Sequence, residues 1–188
     1  MTTLILIRHG ETHWNVIGRY QGQADPPLNA KGQEQARQVA QTLNEKAKID
    51  VLFTSPLKRA TQTAEKIAET LDIPLHEDLR LMEIHQGDWQ TKLRTEIEAA
   101  YPDLFRKWET EPWEVTPPGG ENLTQVKTRV YAAVDEIIGR FPDQGVGLVI
   151  HRIPIALIKM RYQGLDPDIV RSIHLPNTYW ETIIVNEN

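Results

Sequence analysis

The sequence predicts an α/β fold: one three-layer α/β/α domain over residues 1–188, with a mainly parallel central sheet. Short aliphatic runs alternate along the chain with stretches of helical periodicity, the pattern of an open parallel sheet with crossover helices on both faces. No internal repeat, low-complexity tract or linker divides the chain. Its 188 residues, 40% hydrophobic and 25% charged, suit a single globular domain with a sizeable core.

The elements follow in order. Leu4-Ile5-Leu6-Ile7 is a continuous aliphatic run, as expected of a strand buried on both faces. Asn29 caps a helix that carries Ala36, Val39, Ala40, Leu43 and Ala47 at helical spacing. Val51-Leu52-Phe53-Thr54 is a second buried strand, ended by Ser55-Pro56, which reads as a cap residue and a first-turn proline. The next helix aligns Ala60, Ala64, Ile67, Ala68 and Leu71 on one side. Residues 83–89 are expected to be loop, with helix over 91–101 and again over 104–108. Thr116-Pro117-Pro118-Gly119-Gly120 is a turn-rich break. Leu123, Val126, Val130, Val134, Ile137 and Phe141 then mark an amphipathic helix. Gly147-Leu148-Val149-Ile150 is a third buried strand with His151 at its end, and residues 153–160 are apolar enough for a buried helix. Residues 172–175 and 179–185 are expected to close the sheet as antiparallel or edge strands.

Composition narrows the function. A formal net charge of -5 opposes the broad positive field of a nucleic-acid binder, so positive charge for an anionic ligand must be concentrated in a pocket. The absence of cysteine excludes disulfides, thiolate nucleophiles and Cys-ligated zinc, and fits a reducing compartment. No run approaches the ~20 apolar residues of a membrane span, and the N-terminal run is too short for a signal peptide. A cytoplasmic protein with neither nucleic-acid nor membrane partners is expected, with a homodimer left open.

Ligands of open α/β sheets bind beyond the carboxyl ends of the strands, where Arg8-His9, Ser55 and His151 all fall. Leu6-Ile7-Arg8-His9-Gly10-Glu11-Thr12 is the most informative segment. Its arginine can fork two N–H donors onto phosphate oxygens. Its histidine is a nitrogen nucleophile usable at neutral pH, and the glycine allows a sharp turn close to a ligand.

Arg8-His9-Gly10-Glu11-Thr12, with Trp14-Asn15 after it, resembles the signature of the histidine phosphatase superfamily, also called phosphoglycerate mutase-like. The resemblance continues in order along the chain. It runs through Gln21-Gly22-Gln23-Ala24-Asp25, Leu28-Asn29-Ala30-Lys31-Gly32, and Ser55-Pro56-Leu57-Lys58-Arg59-Ala60-Thr61-Gln62-Thr63-Ala64. It ends with Leu81-Met82-Glu83-Ile84 and Gly87-Asp88-Trp89, Pro118-Gly119-Gly120-Glu121-Asn122, and Val149-Ile150-His151. The resemblance implies a phosphoglycerate mutase-like fold and a phosphate held between Arg8, Arg59 and His151, with His9 as nucleophile and Glu83 as proton donor and later base. Two guanidiniums and an imidazolium then stabilise the phosphoryl transition state, with no metal or other cofactor expected. Asn15, Gln21 and Gly22 are assigned to substrate binding, with Arg152 beside the last histidine. Arg152 departs from the small or polar residue usual at that position, and Gln90 from the usual acidic-glycine continuation.

Plainer readings remain for several residues. His9 could be a structural histidine at a strand end. His9 and His13 have the i, i+4 spacing of metal ligands, but no third ligand is near. His76, His85 and His174 lie in no motif, and Arg59 could sit on a solvated helix face. Trp89, Trp108 and Trp113 could line a cavity or lie beneath the middle helices. Arg152 could face the phosphate or point away.

Three functions compete: a phosphatase for small phosphomonoesters, a phosphoglycerate-type mutase, and a non-catalytic phospholigand-binding module. The mutases of the family it resembles carry extra central segments that keep water out, whereas the stretch from Trp89 to Glu121 is short, so the resemblance ranks the phosphatase first, acting on a small phosphorylated metabolite.

Overall fold

Five strands, β1 (Thr2–Arg8), β2 (Val51–Thr54), β3 (Leu75–Glu77), β4 (Gly145–Ile150) and β5 (Trp180–Val185), form one sheet in the order β3-β2-β4-β1-β5. The computed structural model describes residues 1–185. Strands β1, β2, β3 and β4 run parallel, and β5 pairs antiparallel with β1 at one edge. The helices are α1 (His13–Ile17), α2 (Ala30–Lys46), α3 (Lys58–Leu71), α4 (Arg94–Ala100), α5 (Pro102–Thr110), α6 (Leu123–Arg140), α7 (Arg152–Gln163) and α8 (Ile169–Ser172).

Strand β1 shows why an uninterrupted aliphatic run is needed. Successive side chains of a strand point to opposite faces. Leu4 and Leu6 pack with Val130 and Val134 of α6 and Ile155 of α7, while Ile5 and Ile7 pack with Val39 and Leu43 of α2 and Ala64 of α3. Each such side chain contributes roughly 1.5–3 kcal/mol on burial. The three layers follow, and they position the site. The chain leaves β1 toward α2 on one face and leaves β4 toward α7 on the other, so the ends of these paired strands open a crevice.

Several expectations are corrected. Residues 172–175 form no strand: Ser172 closes α8, and the Leu175 carbonyl accepts from the Arg8 guanidinium instead of a ladder partner. Ser55-Pro56 does not open a helix. Helix α3 begins at Lys58 after Leu57, and the Ser55 hydroxyl lies 2.8 Å from Nε2 of His151. The helix expected from residue 91 begins at Arg94, and Ala47 lies past the end of α2. Helices α1 and α8 and strand β3 were not anticipated. Helix α1 rests on a capping box between Thr12 and Asn15, and β3 is a three-residue edge strand. Among the described residues no helix is long and apolar enough to cross a membrane.

Candidate active site

Strand β1 carries Arg8 and then His9 into the crevice. The backbone of His9 is fixed on both sides: its N–H donates to the Ile150 carbonyl at 3.2 Å, and its carbonyl accepts from Thr178 N at 3.3 Å and Asn177 Nδ2 at 3.1 Å. Gly10 N donates to Thr63 Oγ1 at 3.0 Å, and that hydroxyl donates to the Arg59 carbonyl at 2.7 Å. A Cβ at Gly10 would stand 2.7 Å from the Gly32 carbonyl oxygen at the start of α2, so only glycine seats the loop this closely. Nδ1 of His9 lies 2.7 Å from the Gly10 carbonyl oxygen. A carbonyl only accepts, so the proton is assigned to Nδ1 and the lone pair to Nε2. His9 is thereby oriented as a nucleophile.

The two arginines are held by main chain. Arg59 is 1% exposed and donates to the carbonyls of Ala24 at 2.8 Å and Gly22 at 2.7 Å. Gly22 adopts φ +51, and a Cβ there would meet Gln90 Oε1 at 2.4 Å, so this carbonyl cradle also requires glycine. Arg8 donates to the Leu175 carbonyl. Among the described residues the buried Nε of each arginine has no hydrogen-bond partner. Burial pulls both guanidiniums down to about 10, partly offset by the Glu83 carboxylate, so both stay charged at neutral pH.

His151, at the end of β4, lies behind His9 with ring centroids 5.2 Å apart. Its Nε2 meets the Ser55 hydroxyl, and its buried Nδ1 has no partner among the described residues. Burial, then the fields of Arg59 and Arg8, hold both His9 and His151 well below the ordinary histidine value. These effects favour the neutral form of the His151 ring until negative charge is brought beside it.

A pH dependence follows. Between the lowered native pKa and about 6.5 the unfolded chain binds protons that the native site excludes. The stability contributed by the two neutral histidines is thus fully present above pH about 6.5 and is lost as pH falls through their depressed values. Urea unfolding is expected to show a loss of about 1 kcal/mol per histidine between pH 6.5 and 5.5. A His151→Asn variant with an unchanged slope would contradict this.

Glu83 completes the site from the loop that follows residues 79–81. Its Oε1 accepts from Ile84 N at 2.9 Å, and its Oε2 lies 3.5 Å from Ile153 N in the first turn of α7. The Glu83 carbonyl accepts from Gln23 Nε2 at 3.0 Å and Arg129 Nη2 at 2.9 Å. Arg129 also reaches the carbonyls of Arg80 and Met82 and pairs with Glu121 at 2.9 Å. The Pro-Gly-Gly-Glu block thus serves to fasten the Glu83 loop.

A cavity of about 290 Å³ brings together Arg8, His9, Arg59 and Glu83 with Gln21, Gly22 and Arg152. Asn15 does not line it. Its side chain completes the capping box of α1, accepting from Thr12 N at 3.0 Å. Trp108 lines the cavity, Trp89 is buried in the core, and Trp113 Nε1 donates to the Pro167 carbonyl. Thr63, Gln23 and Arg129 were missed from sequence. Thr63 was within reach, since it lies on the buried stripe of α3, four residues after Arg59 and three after Ala60. Among the described residues no three His, Asp or Glu side chains gather as a metal site.

The profile of the histidine phosphatase superfamily (branch 1) matches residues 4–188. The chain belongs to this superfamily. Phosphoserine phosphatase 1 of Hydrogenobacter thermophilus is 37% identical over 187 residues, covering 100% of this chain and 88% of its own length. Glucosyl-3-phosphoglycerate phosphatase of Mycolicibacterium vanbaalenii is 34% identical, covering 88% of this chain and 76% of its own. Among solved structures, Bacillus stearothermophilus YhfR superposes with a TM-score of 0.92 at 34% identity, covering 99% of this chain and 92% of its own. This histidine phosphatase is accordingly an enzyme that hydrolyses phosphomonoesters, on the phosphoglycerate mutase-like fold.

Proposed function

We propose that this histidine phosphatase hydrolyses a small phosphorylated metabolite of the cytoplasm in two steps through a phosphohistidine on His9. The observation that carries the reading is the lone pair of His9 Nε2 beside two buried guanidiniums whose hydrogen bonds go to carbonyls, not carboxylates. Such guanidiniums are preorganised for the oxygens of a transferring phosphoryl group. Nε2 attacks phosphorus as the ester P–O bond breaks, and Glu83 gives its proton to the departing alkoxide. Glu83 then takes a proton from water, which attacks phosphorus, breaks the P–N bond and releases phosphate. A bound dianion reverses the field of Arg8 and Arg59 at His151, whose Nδ1 then takes up a proton.

The size of the cavity suits a metabolite, and Gln21, Gly22 and Arg152 stand where its alcohol portion would extend. The stretch from Trp89 to Glu121 supplies only α4, α5 and one further turn, which supports hydrolysis over return of the phosphoryl group to a bound product.

Glu83→Gln tests the division of roles. A nitrophenolate leaves with little help, whereas a sugar alkoxide must be protonated. Single-turnover phosphorylation of His9 is expected to slow by about 10²–10⁴-fold with alkyl phosphates and far less with aryl phosphates. Equal losses would remove Glu83 from the acid role and pass it to His85 or Asp88 in the same loop.

A further inference from the structure

Among the described residues that line the cavity, Arg152 is the cation that the proposed phosphate chemistry does not use. It opens α7, immediately after His151, and lines the cavity with Arg8, His9 and Arg59. Its hydrogen bond among the described residues goes from Nη1 to the Val170 carbonyl at 3.1 Å, which leaves most of its five N–H donors unused. The carboxylates lining the same cavity have other engagements. Glu109 pairs with Arg94 at 2.8 Å, and Glu83 faces the main-chain N–H groups of Ile84 and Ile153.

Position gives Arg152 a side of the substrate. Under the proposed reading Glu83 delivers its proton to the leaving oxygen, so whatever surrounds that carboxyl faces the alcohol portion. Ile153 N lies 3.5 Å from Glu83 Oε2, and Arg152 is its neighbour in the chain. Charge points the same way. When Glu83 is protonated for its role as acid, Arg8, Arg59, Arg152 and the His151 imidazolium together exceed a phosphate dianion by two positive charges, and Glu109 is offset by its pair with Arg94. A guanidinium presents a planar fork that matches a carboxylate.

We propose that Arg152 is a specificity-determining residue that binds a carboxylate on the alcohol portion of the substrate, so that the preferred substrates are phosphate esters of hydroxy acids. This rests on the phosphatase reading and narrows it. The substrates named for two relatives, phosphoserine and glucosyl-3-phosphoglycerate, both carry such a carboxylate.

The test uses matched pairs that differ in that one group: 3-phosphoglycerate against glycerol 3-phosphate, and phosphoserine against phosphoethanolamine. The wild-type enzyme is expected to prefer the acid of each pair in kcat/KM. Arg152→Ala should lower kcat/KM for the acids by roughly 10- to 100-fold, the scale of a lost charged hydrogen-bonded contact, and lower it much less for their partners. Arg152→Lys should restore part of the preference, since it keeps the charge without the fork. Equal losses for both members of a pair would assign Arg152 to phosphate stabilisation and overturn the proposal, as would a wild-type enzyme indifferent to the carboxylate. Turnover of p-nitrophenyl phosphate reports the phosphatase reading separately. Equilibrium binding of the same pairs to His9→Ala, with and without Arg152→Ala, decides the carboxylate contact even if no ester is hydrolysed: an unchanged ratio of affinities would refute it.

Discussion

Replacing His9 by alanine is expected to lower turnover by on the order of 10⁵-fold, as loss of a nucleophile does elsewhere, while leaving the protein folded. The fold should survive because the bonds that fix this position belong to its backbone. The N–H to Ile150 and the carbonyl contacts from Thr178 and Asn177 remain when the ring is removed. Rapid quenching of the wild-type enzyme with labelled substrate should trap phosphate in an acid-labile, base-stable linkage, as expected of a phosphoramidate. The variant should trap none. Label recovered on serine or aspartate, or a variant that keeps most of its activity, would refute the proposed mechanism.

Arg59→Ala is expected to reduce the phosphorylation rate by about 10²–10³-fold, the scale seen when one preorganised donor to a transition-state oxyanion is lost. The loss should be alike for aryl and alkyl phosphates, because both transition states carry the same phosphoryl charge. Arg59→Lys should recover little. One ammonium cannot span the carbonyls of Ala24 and Gly22, which the guanidinium reaches at 2.8 and 2.7 Å. Single-turnover measurements on a nitrophenyl ester and a sugar phosphate decide the matter. A deficit confined to the sugar ester would place Arg59 with the leaving group instead.

The sequence makes the frame of the site legible wherever a residue's neighbours carry periodicity. Arg8, His9 and His151 stand at the ends of aliphatic runs, so their convergence follows from the parallel sheet alone. Arg59 was identified through its block, but its burial was not readable, because the same position could open a solvated helix face. The proton balance of His151 was out of reach for a related reason. Sequence shows which charges are near in the chain but not that Arg59, Arg8 and His9 close around a desolvated ring. Asn15 has the chemistry of a ligand-binding amide, yet the unfilled N–H groups of α1 claim it three residues after Thr12. Strand β3 and helices α1 and α8 are too short for a hydrophobic period to appear, and the burial of Arg129 depends on the carbonyls of Arg80, Met82 and Glu83, some forty-seven residues earlier.

The segment that braces His9 and Arg8 comes from the far end of the chain. The Leu175 and Tyr179 carbonyls bind Arg8 at the end of β1, and Asn177 and Thr178 bind the carbonyl of His9 just after it. Ordering such a contact closes a loop of 167 residues, a conformational cost of about 4–5 kcal/mol if the intervening chain were unstructured. The site is thus assembled by contacts between distant parts of the chain. A chain that has formed only β1, α2 and α3 still lacks the brace, so the loop after β1 is fixed only once residues 175–179 join it.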